Sequence, residues 1–191
     1  MKIIDLNDPN REFLPTPCGL VLGNFDGVHL GHTALIEKLK ETNSCRENKL
    51  ALGAFCFEQH PSHYFGNPIP LLCSNEEKLE LLRRAGLQFV ILGDFSELKD
   101  MSPEEFVSDF LVDACQCRVA VCGFNYSFGA KGIGSPQTLE ELFASEKGRE
   151  VVVVPQVTVD GKAVSSTAIR ALLENGQIED ASRLLGRPIE A

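Results

Sequence analysis

Residues 18–32 read CGLVLGNFDGVHLGH, from Cys18 to His32, and this stretch decides the architecture. Cys18–Phe25 is a compact apolar run that closes on Gly-Asn and predicts a first strand. His32–Thr42 then places Leu35, Ile36 and Leu39 on one face at helical spacing. A strand passing through a glycine-bearing loop into a helix is the repeating unit of α/β proteins.

The same alternation continues outward. Leu50–Phe57 reads as a buried strand, followed by a loop containing Pro and His to about Pro70. Glu76–Ala85 carries Leu79, Leu81 and Leu82 and is stopped by Gly86, while Phe89–Leu92 is a third strand. Ser102-Pro-Glu-Glu105 predicts a capped helix running to about Cys115, with Pro at its first position and Glu105 closing a capping box. Arg118–Cys122 follows as a strand, then a Gly-rich loop from Gly123 to Gly134 and a helix over Thr138–Ser145. The four consecutive valines in Glu150–Val154 predict a central strand buried on both faces. Val157–Val164 alternates around Asp160-Gly161 as a hairpin, and helices Ser166–Glu174 and Ile178–Leu185 close the chain. The expectation is one domain over residues 1–191, an α/β fold with a mostly parallel sheet and helices on both faces. Ligands of such sheets sit beyond the carboxyl ends of the strands, so the loops after the first, second and fourth strands should carry the chemistry.

Composition narrows the function. The chain has 191 residues and a net charge of −9, from 27 acidic and 18 basic side chains, which argues against duplex DNA or an anionic membrane as partner. A phosphorylated ligand stays possible, because a local site can be positive. The seven cysteines (18, 45, 56, 73, 115, 117 and 122) form no C-x-x-C pair, and several lie inside apolar runs, so reduced, buried thiols are expected. Met1–Arg11 is polar and lacks the apolar core of a signal peptide, and no run approaches 18 apolar residues. A cytoplasmic protein without membrane or nucleic-acid partners is expected.

The first loop lacks both G-x-G-x-x-G and G-x-x-x-x-G-K-[ST], which removes the dinucleotide and P-loop readings. What remains is His29-x-Gly31-His32 at a helix start. Cations are disfavoured at that end of a helix, so two histidines suit a site where a phosphate offsets the dipole and accepts imidazole and backbone N–H groups together. Ordinary packing is the competing reading, with one ring covering the sheet and the other solvated. A zinc site with His60 and His63, which repeat the H-x-x-H spacing, is a third, although no carboxylate or Cys constellation joins them.

The run from Gly23 to His32, GNFDGVHLGH, closely resembles the signature of the bacterial FAD synthetase family, the adenylyltransferase half of bifunctional riboflavin kinase/FMN adenylyltransferases. The resemblance extends over roughly Cys18 to Pro188 and implies a Rossmann-like nucleotidyltransferase fold. It implies that Gly23, Asn24, Phe25, Asp26 and Gly31 lie at ATP, with His29 and His32 on its phosphates. In the second loop the family's F-x-P-H-P segment and following aromatic are met by Phe57, His60, Pro61 and Phe65, with Gln59 in place of the first proline. These residues are implied to cover the flavin, and apolar neighbours suit its flat ring. On residue type alone, Phe65 would instead belong to the core. In the third loop Gly123, Asn125, Tyr126, Phe128 and Gly129 meet a G-x-[DN]-F-x-F-G pattern, with Tyr for Phe. Asn125 is thereby implied beside the reacting phosphate and Phe128 beside the flavin, although composition alone describes a plain surface loop. Ser166, Thr167 and Arg170 match an S-T-x-x-R element that clamps the triphosphate in the family, while Ser165 or Ser166 also suits a simple helix cap.

The resemblance implies transfer of AMP from ATP to FMN, giving FAD and pyrophosphate with Mg²⁺, whose ligands the sequence does not assign. A phosphate monoester is largely dianionic at neutral pH, so FMN needs no general base, in keeping with the lack of a Ser-His-Asp or paired-carboxylate pattern. Bifunctional relatives continue past Leu-Gly-Arg-Pro into a riboflavin kinase domain, whereas only Ile189-Glu-Ala191 follow here. Riboflavin phosphorylation is therefore not expected, and a separate riboflavin kinase is expected to supply FMN. Two alternatives stand beside this reading: a cytidylyltransferase of the same superfamily, disfavoured by the aromatics Phe65 and Phe128, and a non-catalytic flavin- or nucleotide-binding module, disfavoured by the intact His29, His32 and Arg170.

Overall fold

The computed structural model describes residues 1–6, 8, 16–145 and 148–189. Six parallel strands form the main sheet: β1 (Lys2–Asp5), β2 (Cys18–Leu22), β3 (Ala51–Phe57), β4 (Phe89–Gly93), β5 (Cys117–Gly123) and β6 (Glu150–Val154), in the spatial order β1-β4-β3-β2-β5-β6. A two-stranded antiparallel hairpin, β7 (Thr158–Val159) and β8 (Lys162–Ala163), turns at Asp160-Gly161 as its sequence predicts. The helices are α1 (Leu30–Ser44), α2 (Pro61–Tyr64), α3 (Asn75–Arg84), α4 (Phe95–Leu98), α5 (Pro103–Glu105), α6 (Pro136–Ala144), α7 (Ser166–Glu174) and α8 (Ile178–Leu185). α5 runs on without a break into a π-helix over Phe106–Ala114, closed by an i→i+5 bond from the Cys115 N–H to the Phe110 carbonyl.

The alternation of strand side chains explains the layers. In β2, Leu20 and Leu22 pack with Phe55, Phe89, Phe110 and Phe143, while Val21 between them packs with Ile36, Leu39, Leu82 and Val90. One core therefore lies under the π-helix and α6, the other under α1 and α3. A third cluster of Val164, Ile169, Ala181, Leu184 and Leu185 joins α7 and α8 to the start of α1.

The expected helices and strands are present, with four differences. Lys2–Asp5 is an edge strand beside β4, although Met1–Arg11 reads as polar; Ile4 is buried and Ile3 exposed, and four residues are too few for the alternation to stand out. The Glu150–Val154 strand is an edge rather than a centre, and its valines are only half-buried, because β propensity and apolar type say nothing of position in the sheet. The first strand ends at Leu22, leaving Gly23–Phe25 to the loop, and α1 begins two residues before the expected His32. The short helices α2 and α4 interrupt segments that read as loop. The capping box is formed as expected: the Ser102 hydroxyl accepts from the Glu105 N–H at 3.2 Å, and the Glu105 carboxylate accepts from the Ser102 N–H at 2.7 Å.

Five of the seven cysteines are buried free thiols, whereas Cys73 is half-buried and Cys45 exposed. No helix among the described residues is long and apolar enough to cross a membrane.

Candidate active site

The chain leaves β2 for β3 and β4 on one side, and later adds β5 and β6 on the other, so β2 marks the reversal in strand order. A cleft of about 910 Å³ opens there, at the carboxyl ends of β2, β3, β5 and β6. All three predicted loops and the start of α7 line it.

The first loop is tightly wound. Phe25, Gly27 and Val28 all take positive φ (54°, 77° and 38°), two of them without the freedom of glycine. At Phe25 this turns the ring inward: it is fully buried and packs 5.0 Å from the His32 ring. Phe25 is not among the residues that line the cleft; its ring supports His32 from behind.

His29 is the N-cap of α1, its Nδ1 accepting from the His32 N–H at 3.3 Å, and the two imidazoles stack at 3.7 Å. Burial lowers the His29 pKa to about 4, against the opposing pull of Asp26, and holds His32 well below the usual histidine range. Both rings are therefore neutral at pH 7, and the positive end of α1 repels neither. Because Nδ1 of His29 is an acceptor, its proton sits on Nε2. Nδ1 of His32 is buried without a partner among the described residues. The arrangement matches neither the solvated-histidine reading nor a zinc site: among the described residues no three His, Cys, Asp or Glu side chains gather as metal ligands.

Asp26 is a hub. Its Oδ1 accepts from the Leu72 N–H at 2.8 Å, and its Oδ2 pairs with Arg170 Nη2 at 2.7 Å. Its main-chain carbonyl accepts from the Ser166 hydroxyl at 3.0 Å. Arg170 also donates through Nε to the Pro70 carbonyl at 2.8 Å, leaving Nη1 without a hydrogen bond among the described residues. Ser165, not Ser166, caps α7, accepting from the Ala168 N–H at 3.1 Å. Gly23, Asn24, Asp26, Gly31, Ser166, Thr167 and Arg170 all line the cleft together with both histidines.

Phe57, His60, Pro61 and Phe65 line the same cleft, with His60 close enough to Asp26 and Arg170 to feel both charges. His60 caps α2, accepting from the Ser62 N–H at 3.2 Å, and Pro61 occupies the first turn of that helix. Desolvation lowers the His60 pKa. Phe65 is 64% exposed, so the core reading from residue type fails; its ring joins Tyr64 and Phe95 in a set of edge-on contacts at 5.5 Å. In the third loop Asn125 is exposed to the cleft, while Phe128 is almost buried, stacked on Tyr126 and packed on Phe106, and forms part of the cleft floor. This loop is tied to the start of α5 by the Ala130 N–H, which donates to the Met101 carbonyl at 2.6 Å.

Three residues near the site were not singled out by sequence. Tyr64 carries the Lys99 ammonium 5.7 Å from its ring centre, at the cleft mouth. Lys78 is buried and donates to the Phe57 carbonyl at 3.4 Å, beneath the second loop. Arg187 donates to the Gly27 carbonyl at 2.6 Å. An aromatic beside Phe65 was a usable signal for Tyr64; nothing in the sequence links Arg187 or Lys78 to the loops they hold.

A parallel sheet whose cleft at the strand reversal is flanked by a histidine-capped helix, a Ser-Thr-Arg helix start and an aromatic wall is a Rossmann-like nucleotidyltransferase domain. The profile of the FAD synthetase family matches residues 13–168, and the chain belongs to that family. It is 32% identical over 194 residues to a bifunctional riboflavin kinase/FMN adenylyltransferase of Bacillus subtilis, and 34% identical over 195 residues to that of Listeria monocytogenes. Each alignment covers 98% of this chain and 60% of the relative, so the chain spans less than two thirds of their length. Among solved structures it is similar to one described as a macrolide-efflux protein from Streptococcus pneumoniae, with a TM-score of 0.84 and 27% identity over 98% of this chain and 63% of the other.

Proposed function

We propose that this chain is an FMN adenylyltransferase, joining AMP from ATP to FMN to give FAD and pyrophosphate. The observation that carries this reading is the neutral, stacked His29–His32 pair at the start of a 15-residue helix, lining one cleft with Phe57 and Phe65. An oxygen of the FMN phosphate attacks the α-phosphorus of ATP as the bond to the β-phosphate oxygen breaks, and pyrophosphate departs. The nucleophile is already ionised, so the protein's task is positioning and charge stabilisation. The Nε2–H of His29, the His32 ring and the free N–H groups of α1 would hold the phosphates. Thr167 and the free Nη1 of Arg170 would receive the leaving group, with Ser166 and Asp26 fixing the helix and guanidinium that present them. Asn125 would face the incoming phosphate, with His60, Pro61 and Phe65 against the flavin and Phe128 below it. No residue of this chain is assigned as a Mg²⁺ ligand; the ion would come with the triphosphate, whose oxygens and water suit it, and would offset its charge.

Incubation of the pure protein with FMN, ATP and Mg²⁺ should yield FAD on chromatography. His32→Ala should remain folded and lose about two to three orders of magnitude in turnover, as for one lost oxyanion-type donor. Absence of FAD from a folded sample would overturn the reading, and consumption of CTP with another phosphorylated acceptor would replace it.

A further inference from the structure

We propose that Arg187 is a positioning residue for the histidine-bearing loop, so that the segment following α8 sets the geometry of His29 and His32. The inference rests on reading the cleft as an adenylyl-transfer site. Arg187 does not line the cleft. It grips the loop from behind: Nη1 donates to the Gly27 carbonyl at 2.6 Å, and Nη2 lies 3.4 Å from the Glu77 carboxylate on α3. Its side chain is 22% exposed. The same segment touches the loop beyond His29 as well. Gly186 adopts φ +74°, and a Cβ there would fall 2.4 Å from the side chain of Leu30, the residue after His29. Residues 186 and 187 thus bracket His29, one against Gly27 and the other against Leu30.

The loop needs such a hold. Gly27 has φ +77°, and any Cβ on it would meet Leu72 at 2.8 Å, so this peptide is pressed close to its neighbours. Val28, next to it, is held at φ 38°, a conformation that persists only when the surroundings enforce it. On its other side the Gly27 N–H donates to the Cys73 thiol at 3.2 Å, a weak acceptor, which leaves the charged bond from Arg187 as the stronger grip. A guanidinium spans the carbonyl and the carboxylate in one planar fork, whereas a lysine offers a point charge. Arg187 also adds to the charges that act on His29. Asp26 favours its protonated form, Arg170 and Arg187 oppose it, and the stacked His32 ring remains neutral beside it.

The test compares the intact chain with Arg187→Met and Arg187→Lys. Arg187→Met should stay folded by circular dichroism and form FAD with kcat lowered by about ten- to a hundredfold, the cost of a small misplacement of reacting groups, with KM values little changed. Followed by NMR, its His29 ring should titrate at higher pH than in the parent. Arg187→Lys should return that titration toward the parent while recovering only part of kcat. A folded Arg187→Met with parental kcat and parental His29 titration overturns the proposal. So does a lower melting temperature with both unchanged, which describes a purely structural residue. Should Arg187→Met fail to fold, Arg187→Lys decides: full kcat overturns the proposal, and a partial loss with parental titration upholds it. Should the parent make no FAD, the adenylyl-transfer reading falls by itself, and the His29 titration in the variants still judges whether Arg187 acts on that ring.

Discussion

The histidines at the start of α1 are where residue chemistry can be read most directly. His29 combines two duties, presenting Nε2–H and accepting the His32 N–H through Nδ1, and the second requires the neutral ring. A folded-state pKa of about 4 against an ordinary 6.5 means that the unfolded chain takes up this proton first on acidification. The contribution is complete above pH 6.5 and declines as pH falls from 6.5 toward 4, by on the order of 3 kcal/mol for His29. His32 acts in the same direction. Urea unfolding at pH 7 and pH 5 should show lower stability at pH 5. In His29→Asn, which keeps a good capping acceptor, the difference between the two should shrink; an equal difference would remove His29 as its cause. The histidine pair stood out in sequence as a candidate phosphate site, because residue types and a helix start carry chemistry directly. Its neutrality did not, since that follows from burial and from one ring covering the other.

Elements show where apolar pattern stops being informative. β2, β3, β4 and β5 stood out as apolar runs, and each is a buried strand of the main sheet. Glu150–Val154 carries the same signal and lies at the edge, because sheet order is decided by crossovers that no local pattern records. Phe65 fails for the opposite reason: an aromatic type predicts burial, and here two flanking aromatics hold it in the open at a cleft wall. Caps are the most reliable local signal, and Ser102 with Glu105 supports more than its own helix. The residue before it, Met101, accepts from Ala130 in the third loop. Ser102→Ala should cost about 1 kcal/mol in thermal or denaturant unfolding. A variant as stable as the parent would mean that Pro103 and Glu105 suffice to start the helix.

At the scale of the molecule, the Asp26–Arg170 pair joins residues 144 positions apart, with side chains 7% and 13% exposed. Removing one charge from such a pair leaves the other buried and uncompensated. Asp26→Asn should therefore lose about 3 kcal/mol, roughly 10 °C in melting temperature for a domain of this size. Adding Arg170→Met should return part of that loss, and a double variant worse than the single one would deny the coupling. The hub has a consequence for the order in which the chain is made. A ribosome that has released residues through Val154 has supplied every strand of the main sheet, and both apolar layers can close. The loop bearing the histidines then still lacks Ser166, Arg170 and Arg187, which fasten Asp26 and Gly27. During synthesis the sheet can therefore stand before the loop is fastened, and the stretch from Ser166 to Arg187, made after the last of its strands, is what fastens it.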